Sequence, residues 1–262
     1  SMVVNGEPRP HSQLNSQTGG GLMQLTILGS GTNVHPRRAA AGYLLETDQR
    51  LIFDLGPRTL SNLIHTGVDR HQLQYILFSH YHADHFADFI TFFFDAVYHA
   101  KYVGPRADLT IIGPRGTKAL FRSMLNTFPG FRLAPFRVRL REVERRPFRL
   151  GQTVIRPSPV VHSQQLDCLG YRVEYDGRTF VYSGDATASP ELVRLCQGAD
   201  LAVLDCSFPD EHPGPGHMHA GQCGRIAQDA EASRMVLSHF YPIAERYALR
   251  QQAQRRYDGR VL

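Results

Sequence analysis

Positions 1–21 are polar and glycine-rich, and the first sustained hydrophobic pattern begins at Leu22. From Leu22 to Leu28 apolar and polar residues alternate with the period of a strand, and the run stops at Gly29-Ser30-Gly31-Thr32. Residues 42–47 and 51–53 form a strand pair around Asp48-Gln49, and the second strand runs into Asp54-Leu55-Gly56. Leu60, Leu63 and Ile64 share one face of a helix expected over 57–66. The apolar run 73–78 reads as a buried strand that ends at a histidine-dense loop. A helix over 86–100, a strand over 109–114 and a helix over 118–126 follow. Between Phe131 and Arg149 arginines alternate with apolar residues, as in Val138-Arg139-Leu140-Arg141, which predicts a half-exposed strand. Further strands are expected over 153–161, 168–175, 178–183, 201–204 and 234–238, with helices over 190–197 and 220–231. Arg246, Arg250, Arg255 and Arg256 mark a polar C-terminal helix. No repeat of about 20–50 residues and no Ser/Pro linker divides the pattern. Residues 22–262 therefore read as one α/β domain behind a disordered lead-in over 1–21.

Composition narrows the class. Of 262 residues, 42% are hydrophobic and 20% charged, which excludes a disordered, collagen-like or coiled-coil chain. No run reaches the roughly 18 apolar residues of a membrane span. The longest greasy stretch, 86–97, is interrupted by Asp88 and Asp95. Cys168, Cys196, Cys206 and Cys223 form no C-x-x-C pair, so they read as free thiols of a cytoplasmic protein rather than a zinc site. The net charge of +5 favours anionic partners only weakly.

Histidine changes the picture more. His80-Tyr81-His82-Ala83-Asp84-His85 packs four metal-ligating side chains into six residues. On an extended segment His80, His82 and Asp84 point one way and His85 the other. A turn must intervene, and the economical solution is two metals, His80 and His82 on one, Asp84 and His85 on the other. Imidazole and carboxylate ligands without thiolate suit zinc, with manganese or iron as alternatives. More ligands stand where apolar strands end: Asp54, His162, Asp185 and His239. Each alone reads as a cap or loop residue; four of them together with the hexamer point to one site.

These residues, in this order, resemble the five motifs of the metallo-β-lactamase superfamily over roughly residues 22–243. The resemblance implies a four-layer αβ/βα sandwich of two mixed β-sheets flanked by helices, with two metals at one edge. It implies that His80, His82 and His162 bind the first ion and that Asp84, His85 and His239 bind the second. Asp185 would bridge them, and Asp54 would orient the ligands by hydrogen bonds. The chain is most similar to the ribonuclease Z and phosphodiesterase branch. Leu28-Gly29-Ser30-Gly31-Thr32, Leu204-Asp205-Cys206-Ser207-Phe208, Gly216-His217-Met218-His219-Ala220 and Leu237-Ser238-His239-Phe240 carry that likeness. In that branch a histidine of the third of these segments helps stabilise the phosphate; His217 matches it best, and His219 is the second candidate. Helix capping or loop packing is the plainer role for both. The long arm with which many ribonuclease Z enzymes grip transfer RNA lies between the residues matched by His162 and Asp185. Here two short strands and a turn at Asp176-Gly177 fill that interval.

The chemistry expected of such a site is hydrolysis. Two divalent ions about 3.5–4 Å apart share a hydroxide and lower its pKa toward neutrality. Asp84 or Asp185 would take the nucleophile's proton, and His217 would donate to the leaving side. The expected substrate is a small anionic phosphodiester or nucleotide, with RNA as an alternative. Another ester (thioester, lactone or aryl sulfate) and a non-catalytic nucleic-acid-binding module are the competing readings. Gly29-Ser30-Gly31-Thr32 reads as an anion-binding nest or, more simply, a turn. Phe92, Phe93, Phe94, Tyr98 and Tyr102 read as a pocket wall or, more simply, as core or a homodimer face. Arg137, Arg139 and Arg141 read as phosphate contacts or, more simply, as a solvated strand face.

Overall fold

A computed structural model of the chain describes residues 21–262 in full and the backbone of residues 2–5. The apolar runs become strands of two seven-stranded sheets. The first holds, as successive neighbours, β1 (Met2–Asn5), β2 (Met23–Gly29), β3 (Gly42–Glu46), β4 (Arg50–Phe53), β5 (Tyr75–Leu77), β6 (Leu109–Gly113) and β7 (Val138–Glu142). The second holds β8 (Phe148–Leu150), β9 (Thr153–Pro159), β10 (Leu169–Tyr175), β11 (Arg178–Tyr182), β12 (Leu201–Asp205), β13 (Arg234–Ser238) and β14 (Arg260–Val261). Apart from the parallel β1–β2 pair, each sheet passes from antiparallel to parallel pairing, at β4–β7 and at β11–β14. Parallel neighbours need a crossover, and helices supply it. In the first sheet these are α1 (Thr59–His65), α2 (Ala83–Tyr102) and α3 (Thr117–Thr127); in the second, α4 (Pro190–Cys196), α5 (Ala220–Asp229) and α6 (Leu249–Gln254).

Three apolar cores separate four layers. Between the sheets lie Phe53, Tyr171, Phe180, Tyr182 and Val203. Phe53 sits with its ring 5.6 Å from Tyr171, 5.9 Å from Phe180 and 6.0 Å from Tyr182. Leu63, Phe78, Phe89 and Phe93 join α1–α3 to the first sheet, and Leu192, Cys223, Ile226 and Ala253 join α4–α6 to the second. The architecture is thus helix, sheet, sheet, helix, the four-layer αβ/βα sandwich. In open parallel sheets functional residues gather beyond the carboxyl ends of the strands. Here Asp54, Ser79, Asp185, Asp205 and His239 follow or end β4, β5, β11, β12 and β13.

Several local expectations change. Met2–Asn5 is a strand paired in parallel with β2, where a lead-in was expected; the rest of that lead-in lies outside the described residues. Helix α2 starts at Ala83 rather than Phe86, so Asp84 and His85 lie in its first turn. Pro129–Leu133 forms a 3-10 turn with proline at its start, which delays the arginine strand to Val138. Phe92 and Phe93 are core, whereas Phe94, Tyr98 and Tyr102 are exposed on α2. Arg137, Arg139 and Arg141 face solvent. All four cysteines are free and buried. The interval before Asp185 is a two-residue hairpin, with Asp176 and Gly177 at φ 47° and 70°, the geometry that continues a right-handed strand twist. Among the described residues no helix is long and apolar enough to cross a membrane.

Candidate metal centre

The site is assembled by the way strands stop. Asp54 and His239 follow β4 and β13 with φ of 57° and 65°, a left-handed conformation that ends the strand abruptly. Such backbone costs roughly 1–3 kcal/mol per residue and persists where surrounding structure over-determines it. Gly56 makes room for the start of α2: a Cβ there would stand 1.9 Å from the Asp84 carbonyl oxygen. The backbone N–H of Leu55 and the His85 carbonyl close this contact at 2.8 Å.

Two clusters of ligand atoms result. His82 Nδ1 lies 2.9 Å from His80 Nε2 and 3.1 Å from His162 Nε2. Asp185 Oδ2 stands 3.7 Å from His80 Nε2 and 3.6 Å from His162 Nε2. On the other side Asp185 Oδ1 is 3.1 Å from His85 Nε2 and 3.3 Å from His239 Nε2. His85 Nε2 and His239 Nε2 are 3.2 Å apart, and Asp84 Oδ2 is 3.4 Å from His239 Nε2. Ligands held about 2.0–2.1 Å from one tetrahedral ion stand about 3.4 Å from each other. Both clusters have that spacing, and each contains nitrogen and carboxylate donors. The residues present therefore fit divalent ions. All seven sequence-proposed ligands are brought together, and Asp185 turns one oxygen to each cluster.

The outward nitrogens explain the orientation. His85 Nδ1 donates to Asp54 Oδ2 at 2.7 Å, and His162 Nδ1 donates to the Gly216 carbonyl at 2.7 Å. Ser79 Oγ donates to Asp54 Oδ2 at 2.7 Å and so can accept from His80 Nδ1 at 3.0 Å. Ser207 Oγ donates to Asp205 Oδ1 at 2.7 Å and so can accept from His239 Nδ1 at 3.0 Å. With Nδ1 committed as donor, each of these rings presents the Nε2 lone pair to the cluster. Asp54 is fully buried and also accepts from Ser79 N at 2.8 Å and from the Tyr182 hydroxyl at 2.6 Å.

Protonation follows the same layout. Burial, helped by the charge of His85, holds the His80 imidazole well below its ordinary value; burial and His162 lower His82. Burial opposes the charge on Asp185, but His239 and His85 outweigh it and keep the carboxyl well below its usual range. Burial likewise works against Asp84, whose hydrogen bond with His239 and the charge of His85 bring it to about 2. His85 moves up: burial would lower it, and the carboxylates of Asp185 and Asp54 prevail. Asp84 and Asp185 are thus held in the ionised form that binds a cation.

His217 stands beside both clusters and, with Asp185, Asp205 and His239, makes a third group whose ligand atoms lie within 4.8 Å of one another. Its ring is 4.7 Å from that of His162 and 5.2 Å from that of His239, and its Nδ1 donates to Asp205 Oδ2 at 2.7 Å. Burial works to lower its pKa, but the hydrogen bond and charge of Asp205 raise it. His219 is placed differently. It is the N-cap of α5, its Nδ1 donating to Asp210 at 2.7 Å and its backbone N–H to Gln222 at 3.1 Å. It acts as a cap, and no ligand cluster contains it. The Gly29-Ser30-Gly31-Thr32 segment is a turn whose Gly31 and Thr32 N–H groups are taken by the Ala39 and Phe240 carbonyls.

Asp205, Ser79, Ser207 and Tyr182 were missed as orienting residues. Asp205 carried the same signal as the others, a polar residue at the end of the apolar run Leu201–Leu204. The two serines carried no signal beyond adjacency to ligands.

A family model for the beta-lactamase superfamily domain matches residues 49–240. The chain belongs to the beta-lactamase superfamily. A Mycobacterium leprae protein of uncharacterised activity is 30% identical over 98% of this chain and 91% of its own length. The probable metallo-hydrolase YhfI of Bacillus subtilis is 27% identical over 91% of this chain and 96% of its own. Its crystal structure, described as a metallo-β-lactamase fold protein, superposes with a TM-score of 0.78 at 25% identity, covering 91% and 95% of the two chains. Ribonuclease Z of Mycobacterium marinum is 26% identical over 84% of this chain and 87% of its own. The short form of human tRNase Z shares the fold at 20% identity, with a TM-score of 0.71 over 82% of this chain and 92% of its own. In this metallo-β-lactamase fold superfamily the chain stands as a metal-dependent hydrolase, with ribonuclease Z-like relatives.

Proposed function

We propose that the chain is a dinuclear hydrolase of phosphodiesters, with a small diester or nucleotide as substrate. His80, His82 and His162 hold one divalent ion, Asp84, His85 and His239 a second, and Asp185 bridges them, with Asp54 orienting the ligands. Zinc suits these donors best, with manganese or iron as alternatives. Bound there, the ions would supply Lewis acidity toward the ester and a nucleophilic water at neutral pH. Asp84, partly exposed and ionised, accepts the proton of the attacking water. His217, held by Asp205, keeps a proton to hydrogen-bond the phosphoryl group or the leaving oxygen.

The observation that carries this reading is the conjunction of ligand clusters meeting at Asp185 with an Asp-anchored histidine, His217, that shares a group with Asp185, Asp205 and His239. A cavity of about 650 Å³ lined by Arg115, Glu142, Arg145, Asp167, Val160 and Ser163 lies next to the His162 segment, and none of the seven ligands lines it. Relatives named ribonuclease Z keep RNA as an alternative substrate, while the two-residue hairpin at Asp176-Gly177 leaves no arm to grip it. The four free, buried thiols fit a cytoplasmic location. The test is hydrolysis of bis(p-nitrophenyl) phosphate by protein loaded with zinc, manganese or iron. Turnover that depends on metal supports the reading, and none with any of the three overturns it. A panel of thioesters, lactones and aryl sulfates separates the other hydrolases.

A further inference from the structure

Tyr241 follows His239 by two residues and is half-buried at the same sheet edge. Its ring stacks on Phe208, with centroids 5.1 Å apart and planes 12° from parallel. It meets His217 at 5.7 Å and 68°, and His239 at 6.2 Å and 77°. Its backbone N–H is held by the Ser207 carbonyl at 3.3 Å. Phe208 is itself backed by Gly214, where a Cβ would stand 2.3 Å from the Phe208 ring. The tyrosine ring is therefore fixed from three sides.

Its hydroxyl is not used by the fold. The buried tyrosines Tyr43, Tyr171, Tyr182 and Tyr257 each bond through their hydroxyls to another group of the protein. So does Tyr81, through Thr117. Among the described residues the Tyr241 hydroxyl has no such partner. A phenol that is held rigidly and left unbonded beside a cluster of ligands is a hydrogen-bond donor waiting for an acceptor.

We propose that Tyr241 is a substrate-binding residue whose hydroxyl donates a hydrogen bond to a non-bridging oxygen of a phosphoryl group held over the two clusters. His217 approaches the same group from the neighbouring side, so the two donors divide the phosphoryl oxygens between them. The inference rests on the phosphodiesterase reading and adds a residue that no motif marks. Removing the hydroxyl disturbs little else, because the ring packing on Phe208 is retained and no internal bond is lost.

The test is calorimetric titration of metal-loaded wild type, Tyr241→Phe and Tyr98→Phe with inorganic phosphate, with bis(p-nitrophenyl) phosphate kinetics on the same samples. Tyr98 is exposed on α2 and serves as the control. A hydrogen bond to a charged acceptor is worth about tenfold or more in affinity. Tyr241→Phe should bind phosphate about tenfold more weakly and lose a similar factor in kcat/KM, with metal content and melting temperature unchanged. Tyr98→Phe should match wild type. Equal phosphate affinity in wild type and Tyr241→Phe, with normal turnover in both, overturns the role of Tyr241 and leaves the phosphodiesterase standing. Wild type that neither binds phosphate nor cleaves the diester overturns both.

Discussion

Asp54 is the residue on which the orientation of the centre turns, and Asp54→Asn isolates its contribution. Asparagine tolerates the left-handed backbone that Asp54 adopts, so the substitution acts through the side chain alone. Oδ2 accepts from Ser79 Oγ, Tyr182 and His85, and Oδ1 accepts from Ser79 N. The better amide rotamer keeps its oxygen toward the three donors on Oδ2 and turns its NH2 against the Ser79 N–H. One buried N–H is then unsatisfied, which costs about 1–3 kcal/mol. The remaining bonds lose their charge assistance, about 1 kcal/mol each. Relaxation recovers part of this, so the expected loss is roughly 4 kcal/mol, read as a shift in the urea midpoint of metal-free protein. His85 also loses the partner that fixes its tautomer, and loss of such an outer hydrogen bond weakens metal binding by about 10–100-fold. Competition with a chelator measures that factor. A variant within about 1 kcal/mol of wild type and with unchanged metal affinity would refute the assigned role of this network.

Further outcomes follow from other parts of the structure. His217→Ala should lower turnover of the diester by about 10²–10⁴-fold while metal content holds, because its ring stands beside those of His162 and His239 with Nδ1 committed to Asp205; loss of metal instead would make it a ligand in the group it forms with Asp185, Asp205 and His239. Phe53→Ala removes a fully buried ring between the sheets and should destabilise by about 3–5 kcal/mol in denaturant. A loss under about 1 kcal/mol would mean that the core closes around the gap. The Glu245 carboxyl is held below its ordinary 4.5 chiefly by its hydrogen bond from Arg38. A depressed carboxylate contributes stability that is present above 4.5 and lost as pH falls through the folded value. Wild type should therefore lose its advantage over Glu245→Gln as pH is lowered from neutrality through that range; an advantage that grew on acidification would contradict the sign.

Much of the architecture was legible because burial writes itself into sequence. The runs that became β4, β5, β11, β12 and β13 are apolar because both faces of a central strand are covered, and the polar residue that ends each run stands out for that reason. What lay outside that pattern was harder to read. The start of α2 was placed three residues late because Asp84 and His85 carry no hydrophobic periodicity, although an acidic residue in a first turn is favourable. His217 and His219 flank Met218, and only the family resemblance ranks His217 ahead of His219 in sequence. Asp205 and Asp210, 12 and 9 residues back in the chain, divide them into a centre residue and a cap. The pairing of β1 beside β2 is parallel and long-range, so no turn signal announced it. Tyr241 was invisible because its distinction is a missing partner, which only a structure displays.

On the proposed function, the two ligand clusters joined by Asp185 each hold a divalent ion. Elemental analysis of protein purified without chelators, before and after zinc or manganese loading and alongside His82→Ala, tests it most directly. Wild type should hold about two ions per chain and the variant about one. Fewer than about one ion in wild type, with no uptake on loading, would contradict it.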